Sequence, residues 1–379
     1  MAREKVTIAI VGAGLIGPRH AASVVKCSEA SLAAFVDPSP QAQAVADSFG
    51  VPLYSSIEAL LASRNRPAAA IICSPNNTHV ALAKQLLSAS IHVLIEKPVA
   101  ISLPSATSLL SHAALCSPTK ALAGHHRRFN PYITATKHAL QTNLIGNPLA
   151  ISGLWALRKP PSYFAPPTAW RASRASGGGP ILVNLVHELD VLSYLLGPIM
   201  RVYAEQTPST RGHAVEEGAA VTLRFASGAV GTFLLSDAAP SAHSFEAGTG
   251  ENPLIPRAGR DFYRILGRGG TLSVGDMRVE RYAEGGGRGW EEVVVEDGVE
   301  VGSEVPFDEQ VRHFVRVVRG EEEPRCSVED GVRAVRVAEA VLRAMREGVP
   351  AEVDGDRKEA KLCMFAEKSI DSRLRCISH

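Results

Sequence analysis

The chain carries almost no excess charge, and its cysteines form no metal-binding or redox pair. Lysine and arginine number 40 against 39 acidic residues, a formal net charge of +1, whereas nucleic-acid-binding proteins usually present a basic face. No Cys-x-x-Cys pair occurs among the six cysteines, which are Cys27, Cys73, Cys116, Cys326, Cys363 and Cys376. We therefore expect no nucleic-acid partner, no metal site, and free thiols in a reducing, cytoplasmic compartment.

Long hydrophobic runs are also scarce. No apolar stretch reaches the ~20 residues that span a bilayer, and the first strand-like run begins too close to Met1 for a signal peptide. The terminal segment 376–379 resembles a prenylation motif only loosely, because histidine is a poor last residue and no polybasic run precedes it. We expect no membrane partner. A chain of 379 residues, 45% of them hydrophobic, suffices for two domains with separate cores.

A glycine-rich segment follows the first strand-like run. Residues 5–11 are apolar and rich in β-branched side chains, as in a strand buried on both faces. Gly12, Gly14 and Gly17 follow in a Gly-x-Gly-x-x-Gly pattern. These glycines permit a tight turn, the approach of a pyrophosphate and close packing of the next helix. The segment predicts a dinucleotide site whose phosphates lie at a helix N-terminus and whose residues are Gly12, Gly14, Leu15, Ile16 and Gly17.

Asp37 indicates which dinucleotide binds. It ends a strand-like run at 32–36 and follows Gly17 by 20 residues, the spacing of the acid that binds the adenosine ribose. An aspartate there repels a 2′-phosphate, and residues 38–43 contain no arginine or lysine to bind one. The pattern favours NAD over NADP. The alternative is that Asp37 only begins a turn before Pro38.

The order of predicted elements changes at residue 124. Residues 1–124 alternate strand and helix, which predicts a Rossmann domain with a doubly wound parallel sheet, an α/β fold. Residues 125–353 predict a second α/β domain with a large, mostly antiparallel open sheet, closed by helices at 307–319 and 328–347. The other predicted elements of this domain are helices at 131–142 and 181–196 and strands at 149–157, 201–205, 219–225, 229–235, 262–267, 271–274 and 291–295. The loop at 285–287 and the tail, 354–379, are predicted to be mobile.

A lysine follows another buried strand of the first domain. Glu96-Lys97-Pro98 closes the strand-like run at 92–95, and ligands bind at the carboxyl ends of parallel strands. Lys97 is therefore a candidate proton donor or acceptor beside a nicotinamide. An unperturbed lysine has a pKa of about 10.4, so the pKa of Lys97 must be lowered by desolvation if it is to act as a base. Strand alternation predicts that Glu96 points away and does not neutralise Lys97.

The predicted helix at 181–196 carries polar residues beside its apolar face. Asn184, His187 and Asp190 recur at three-residue intervals, after a glycine-rich entry at 177–179. This spacing favours a pocket lined by the three side chains. The alternative is a partly buried helix whose histidine is hydrogen-bonded in the core.

Two further segments could complete such a pocket. Arg127 and Arg128 lie at the predicted domain junction, and arginine suits carboxylates and phosphates. Arg128 is therefore a candidate substrate-binding residue, with a salt-bridged joint as the alternative. Tyr163, Trp170 and Arg171 lie on or just after a proline-rich loop that could cover the site, with a packing loop as the alternative.

Taken together, these motifs resemble the Gfo/Idh/MocA family, named after glucose–fructose oxidoreductase, inositol dehydrogenase and rhizopine catabolism. The resemblance extends over nearly the whole chain. Residues 177–190 and 248–253 are also similar to fungal members associated with quinate utilisation. The residues that carry the family resemblance are Gly12 to Gly17, Asp37, Ser74-Pro75-Asn76 with His79, Glu96-Lys97-Pro98, 127–131, Trp170-Arg171 and 177–190.

The resemblance implies NAD(P)-dependent oxidation of a secondary alcohol on a sugar, cyclitol or related polyhydroxy compound, with or without a carboxylate. It implies Lys97 and His187 as the acid and base, and a homodimer or homotetramer formed through the open sheet. Many members carry an aspartate four residues before the histidine, where this chain has Val183, so the role of Asn184 is open. Further residues implied at the cofactor are Ser74, Pro75, Asn76, His79 and Glu96, and at the substrate Arg128, Tyr163, Trp170, Arg171 and Asn184.

Two other functions are compatible with the same motifs. One is an NAD-sensing regulatory protein without turnover, since a fold does not specify a function. The other is a redox-neutral isomerase, epimerase or eliminating enzyme that recycles a tightly bound NAD. The presence of both Lys97 and His187 favours a dehydrogenase, and the residues do not name its substrate.

Overall fold

The computed structural model describes residues 4–283 and 289–353; the predicted mobile loop at 285–287 and tail, 354–379, lie outside them. The strands are β1 (Val6–Val11), β2 (Ala30–Val36), β3 (Leu53–Tyr54), β4 (Ala69–Ile72), β5 (His92–Glu96), β6 (Ala121–Gly124), β7 (Pro148–Ala156), β8 (Ile199–Gln206), β9 (Gly218–Phe225), β10 (Val230–Ser236), β11 (Tyr263–Gly267), β12 (Thr271–Val274), β13 (Arg278–Tyr282), β14 (Val294–Gly298) and β15 (Ala351–Glu352). The α-helices are α1 (Gly17–Lys26), α2 (Gln43–Ser48), α3 (Ile57–Ala62), α4 (His79–Ser88), α5 (Leu103–Leu115), α6 (Pro131–Gln141), α7 (Val186–Leu196), α8 (Phe245–Thr249), α9 (Pro306–Val318) and α10 (Val328–Glu347). Short 3₁₀ helices are Pro40–Ala42, Asn76–Thr78, His126–Phe129, Pro161–Phe164, Ala169–Ala172 and Arg174–Ser176.

The N-terminal sheet is a doubly wound parallel sheet, as predicted. Its strand order is β3-β2-β1-β4-β5-β6, and neighbouring strands pair in parallel. Strands β1, β4 and β5 are buried almost throughout, because helices cover both faces of such a sheet. The strand order reverses between β1 and β4, so the carboxyl ends of these strands border the crevice where doubly wound sheets bind ligands.

The C-terminal sheet is open and mostly antiparallel, which confirms the predicted class. Its order is β14-β13-β12-β11-β7-β10-β9-β8-β15, and β7 with β10 is its parallel pair. Strand β9 alternates buried and exposed residues, because one face packs on α7 and α10 while the other is open. Strands β13 and β15 were not predicted, and the strand expected at 291–295 lies at Val294–Gly298.

Helix α9 belongs to the N-terminal core, which corrects the prediction that it closes the second domain. Its Val311 and Phe314 are fully buried in the cluster that contains Ile8 and Ile10 of β1. Helix α10 contributes to both cores, with its first half on the N-terminal one and its second half on the C-terminal one. Both helices are amphipathic, and amphipathicity shows that a face is buried without showing against which sheet.

The helix predicted at 181–196 divides into two parts. Ile181–Leu185 is π-helical and α7 follows, so an extra residue in the π turn shifts Asn184 relative to His187. By length and composition alone, the segment Arg174–Leu196 could cross a membrane. It is the one such segment in the described ranges, and 78% of its apolar window is buried inside the protein. This corrects the expectation that no run was long enough, although burial of that extent is typical of a core helix.

Candidate active site

The glycine loop between β1 and α1 is shaped by close backbone packing. Gly12 has φ +103°, and a Cβ there would lie 2.7 Å from the backbone of Cys73 and Ser74. A Cβ on Gly17 would lie 2.1 Å from the Gly12 carbonyl oxygen, so neither position accepts a larger residue. Helix α1 begins without a side-chain cap or an acidic residue in its first turn, beside Leu15, which is 83% exposed. Its first N–H groups therefore fit a pyrophosphate.

Asp37 lies beside this loop. Its carboxylate accepts the Ala13 N–H at 2.8 Å through Oδ2 and the Ser39 N–H at 2.9 Å through Oδ1. A Cβ built on Gly14 would meet nothing within 4 Å, so the space over the loop is open. These residues fit a dinucleotide whose phosphates face α1 and whose ribose faces Asp37. The Ser39 contact shows that Asp37 also begins a turn, and its role at the ribose stays a prediction.

The loop after β4 is held against the Lys97–Pro98 step. His79 is buried, and its ring nitrogens lie 2.8 Å from the carbonyl oxygens of Pro98 and Ser74. Burial lowers the pKa of His79. Both nitrogens are engaged within the protein, so His79 positions this loop and does not bind the cofactor, which corrects its assignment. Residues 74–76 keep exposed surface and remain candidates.

Lys97 lies just after β5 and faces the second domain. Its side chain is half-buried, and Nζ donates to the Val183 carbonyl oxygen at 3.2 Å. The Lys97–Pro98 peptide is cis. Desolvation is the largest effect on Lys97 and lowers its pKa to about 8; nearby cations act in the same direction, namely Arg127, Lys159 and Arg171. Lys97 therefore titrates close to neutral pH, as a proton-transfer residue requires.

Glu96 does not point away from Lys97, which corrects the prediction from strand alternation. Its Oε2 accepts the Lys97 backbone N–H at 3.1 Å, and its Oε1 lies 2.7 Å from His20 Nε2. Burial opposes ionisation of Glu96, but the hydrogen bond and charge of His20 outweigh it and lower the pKa of Glu96 to about 2. Its charge raises the pKa of Lys97. Alternation fails because the side chain folds back at the strand end, and the predicted contact of Glu96 with the cofactor stays a prediction.

His187 is a buried, neutral imidazole on the first turn of α7. Its ring centroid lies 5.9 Å from that of His125 and 5.5 Å from that of His126. Desolvation, followed by the charge of Lys97, lowers the pKa of His187 well below its ordinary value. Its Nδ1 is buried without a partner in the ranges that the structure describes. The two predicted catalytic residues thus belong to one site.

Asn184 follows Val183 in the π-helical turn, one residue beyond the carbonyl that binds Lys97. It is half-buried. An amide cannot accept a proton at neutral pH, so Asn184 is not a candidate acid or base. Within the described ranges, no cluster of histidine, cysteine and acidic side chains could hold a metal ion.

The double arginine forms a salt-bridged joint. Arg128 is 4% exposed, and its Nε and Nη2 donate to the two oxygens of Asp190 at 2.9 and 2.7 Å. Its Nη1 donates to the Arg325 carbonyl oxygen at 2.7 Å. Because these donors are used inside the protein, Arg128 is not available to bind a substrate, which corrects that prediction. Asp190 likewise does not line the predicted pocket. The alternative interpretation of this segment is the correct one.

Arg127 is enclosed by three carboxylates that the sequence analysis did not connect with it. It donates to Glu188 through Nη1 and to Glu246 through Nη2, the latter at 2.7 Å, and its Nε lies 3.5 Å from Glu251. The other oxygen of Glu246 accepts from Trp155 Nε1 at 2.8 Å. Burial raises the pKa of Glu188 to about 7. The three carboxylates together compensate the charge of Arg127, so Arg127 has little remaining attraction for an anionic ligand.

The proline-rich loop lies at the site, as predicted. The Arg171 guanidinium lies 3.8 Å from the centroid of the Tyr163 ring and 5.6 Å from that of Trp170. Lys159 Nζ lies 4.7 Å from the same Tyr163 centroid. The charges of Lys159 and Arg171 both lower the pKa of Lys97, so the loop and the lysine share one electrostatic environment. Lys159, which begins the proline-rich loop, was not among the predicted site residues.

A nucleotide-binding parallel sheet joined to an open-sheet domain, with titratable groups between them, defines a two-domain oxidoreductase. The chain belongs to the Gfo/Idh/MocA oxidoreductase family. Residues 6–117 match the NAD-binding Rossmann fold of that family, and residues 137–353 match its C-terminal alpha/beta domain. The family resemblance is thereby confirmed, and the narrower similarity to fungal quinate-utilisation members stays a prediction.

Several known proteins are similar to the chain over nearly its full length. Inositol 2-dehydrogenase from Rhizobium meliloti is 26% identical over 352 residues, 90% of this chain and 97% of that protein. The scyllo-inositol 2-dehydrogenase (NAD(+)) of Bacillus subtilis is 22% identical, covering 93% and 98%. The structure of the WlbA dehydrogenase from Bordetella pertussis, in complex with NADH and UDP-GlcNAcA, superimposes with a TM-score of 0.75 at 20% identity, covering 92% and 99%.

Proposed function

We propose that the protein is an NAD-dependent dehydrogenase or reductase that transfers hydride between the nicotinamide and a secondary alcohol or ketone. One observation carries the proposal: Lys97, with a pKa lowered to about 8, lies at the carboxyl edge of the Rossmann sheet and shares its site with the neutral His187. A group that titrates near the working pH serves as base in one direction and as acid in the other.

Proton transfer in this proposal is the task of Lys97. In the oxidation direction its neutral amine accepts the hydroxyl proton, and in reduction its ammonium returns that proton to the oxygen. His187 donates or accepts a hydrogen bond at the same oxygen through Nε2, and Asn184 orients a neighbouring hydroxyl. Bound NAD⁺ supplies the hydride acceptor. The Val183 carbonyl holds Lys97 Nζ at 3.2 Å until substrate arrives.

The substrate in this proposal is a cyclitol, sugar or related polyhydroxy compound. The full-length similarity to inositol 2-dehydrogenases, at 26% and 22% identity, supports that class. Tyr163, Trp170, Arg171 and Asn184 remain the proposed substrate contacts. The loop that carries the first three lies beside Lys97, and its rings offer flat apolar surfaces of the kind that pack on sugar rings.

NAD is the proposed cofactor in preference to NADP. Asp37 supports this, because its carboxylate lies beside the glycine loop and would repel a 2′-phosphate. No basic residue follows it between positions 38 and 43. The proposed contacts are the glycine loop, with Leu15 and Ile16 at the start of α1, together with Asp37, residues 74–76 and Lys97.

The open face of the C-terminal sheet is the proposed contact between subunits. Val230, Leu234 and Leu266 on this sheet are 44%, 48% and 42% exposed, and contiguous apolar surface marks interaction sites. A homodimer or homotetramer formed through this face would cover them. The described cysteines Cys27, Cys73, Cys116 and Cys326 are free thiols, which supports the proposed cytoplasmic location.

The experiment follows NADH absorbance while purified protein is incubated with NAD⁺ and a panel of polyols, sugars, inositols and sugar acids. NADH formation with one compound, lost in Lys97→Ala, is the expected result. Bound NAD without turnover of any compound would contradict the proposal and favour the regulatory protein. Cofactor that co-purifies and never exchanges would favour the redox-neutral enzyme.

A further inference from the structure

Two cations beside Lys97 have no carboxylate partners. Lys159 Nζ and the Arg171 guanidinium both rest against Tyr163, at 4.7 and 3.8 Å from its ring centroid. Neither side chain forms an ion pair with any residue in 4–283 or 289–353. A cation–π contact holds such groups in place and contributes about 0.5–2 kcal/mol, but it leaves their positive charge uncancelled.

The nearest acid is already committed elsewhere. Glu246 raises the pKa of Lys159 through its charge, so it lies within electrostatic range. However, one of its oxygens accepts from Arg127 at 2.7 Å and the other from Trp155 at 2.8 Å. Burial and the charge of Arg171 lower the pKa of Lys159. A half-buried cation with another cation beside it is unfavourable until an anion binds.

Both cations contact one aromatic ring, and the backbone of the same tyrosine holds the guanidinium. The guanidinium of Arg171 stacks on Tyr163, and its Nη1 donates to the Tyr163 carbonyl oxygen at 3.3 Å, which fixes its plane. A fixed guanidinium suits a carboxylate, and an ammonium adds a point charge beside it. Both charges act on Lys97, so the two cations lie within electrostatic range of the proposed reacting group.

We propose that Lys159 and Arg171 form a carboxylate subsite, so that the substrate is a polyhydroxy carboxylic acid and not a neutral polyol. The choice of reacting hydroxyl rests on the proposed function, whereas binding of the carboxylate does not. Arg127 and Arg128 do not contribute to this subsite, because their own carboxylates neutralise them.

The first experiment compares acids with neutral partners of the same shape. Glucuronate is paired with glucuronamide, quinate with its methyl ester, and gluconate with glucitol, and each is titrated calorimetrically into the protein saturated with NADH. At least one acid should bind about 10- to 100-fold more tightly than its partner, the range for a charge-assisted hydrogen bond. If no acid binds more tightly than its neutral partner, the proposal is wrong.

Variants then assign the preference to the two cations. In Lys159→Met, and likewise in Arg171→Gln, the affinity for the preferred acid should fall about 10- to 100-fold relative to that for its neutral partner, while NADH binds as before. Arg158→Met is the matched control, since it removes an exposed charge next in the chain to Lys159 and should change no affinity. Equal weakening of NADH in Lys159→Met would show that these cations serve the cofactor and would overturn the proposal.

Turnover separates this inference from the proposed function. Acid binding that depends on Lys159, without NADH formation from NAD⁺, would support the subsite and refute the dehydrogenase. Oxidation of neutral polyols alone, with no effect of Lys159→Met on KM, would support the dehydrogenase and refute the subsite. Oxidation of an acid with a KM raised in Lys159→Met and kcat little changed would support both.

Discussion

Two pairs of cations lie near the domain junction, and the two pairs differ in what surrounds them. Arg127 and Arg128 are buried and bonded to carboxylates. Lys159 and Arg171 are half-buried on a loop and rest on the Tyr163 ring. The first pair joins elements of the protein, and the second is free to bind a ligand. The carboxylates around a cation, more than its residue type or burial, distinguish a structural arginine from a binding one.

The largest expected effect comes from Lys97, whose pKa responds to cations of both pairs. Lys97→Ala should lower kcat by about 10²- to 10⁴-fold, because it removes the proton acceptor. NAD affinity should change much less than kcat, since most of the proposed cofactor contacts lie at the glycine loop, the start of α1 and Asp37. Stopped-flow turnover and equilibrium NAD binding measure the two quantities separately.

Lys97→Met is the control for packing, because it keeps the apolar stem of the side chain. It should be as inactive as Lys97→Ala while unfolding at the same temperature as the wild type. Parallel loss of catalysis and NAD binding in both variants would argue against a role of Lys97 in the chemical step.

Loss of an arginine from the buried pair should lower the free energy of unfolding, whereas loss of a cation from the loop pair should change it little. Arg128→Met removes both hydrogen bonds of the arginine to the buried Asp190 carboxylate and, among the described residues, leaves only His125 Nδ1, 3.7 Å away, beside it, so the free energy of unfolding should fall by about 3–5 kcal/mol. Lys159→Met should change it by less than about 1 kcal/mol, because no ion pair is broken. Urea denaturation measures both. The double variant Arg128→Met/Asp190→Leu should recover much of the loss, and a double variant no more stable than Arg128→Met would argue against the ion pair as the cause.

Cofactor choice should depend on Asp37 and on neither pair of cations. Asp37→Ala removes a carboxylate from the proposed ribose site, so NAD affinity should fall by about 10-fold and the preference over NADP should narrow. Fluorescence titration with NADH and NADPH measures both affinities. Asp37→Asn is the closer control, since it keeps the hydrogen-bond acceptor for the Ala13 N–H. An unchanged ratio of the two affinities in Asp37→Ala would refute this role.

The smallest predicted effect is a shift in pH dependence. For oxidation, kcat/KM should rise with pH as Lys97 loses its proton, with a midpoint near its pKa of about 8. The charge of Lys159 lowers that pKa, so Lys159→Met should move the midpoint to higher pH, by less than about one unit. The pH dependence of kcat/KM reflects the pKa values of the enzyme before substrate binds, so the charge of a bound acid does not affect this midpoint. A midpoint that moves equally in Arg158→Met would contradict a local effect.

Sequence reasoning succeeded where function depends on neighbours along the chain. The turn geometry of Gly12 and Gly17 follows from one strand–loop–helix segment. The position of Asp37 could be predicted from the next strand alone, because the parallel sheet constrains the register of that strand beside the first. Lys97 was placed at a sheet edge by the same rule.

The errors concern contacts that the chain makes at long range. Arg128 meets Asp190 across 62 residues, and Glu96 meets His20 across 76. Helix α9 packs on β1, nearly 300 residues earlier in the chain. No local periodicity reports such partners, because propensity and amphipathicity describe a segment and not what it faces.

By itself, the sequence determined the Rossmann sheet, the glycine loop with the acid that follows it, and the place of Lys97 at the sheet edge, since short-range patterns encode strand, turn and helix. The family resemblance added His187 as its proposed partner. Only the tertiary structure decided which charges are free. Within residues 4–283 and 289–353, it pairs Arg127 and Arg128 with carboxylates, brings Glu96 against His20, and places no carboxylate in an ion pair with Lys159 or Arg171. The reason is that the energy of a buried charge depends on what surrounds it in space, which residues distant in the chain supply.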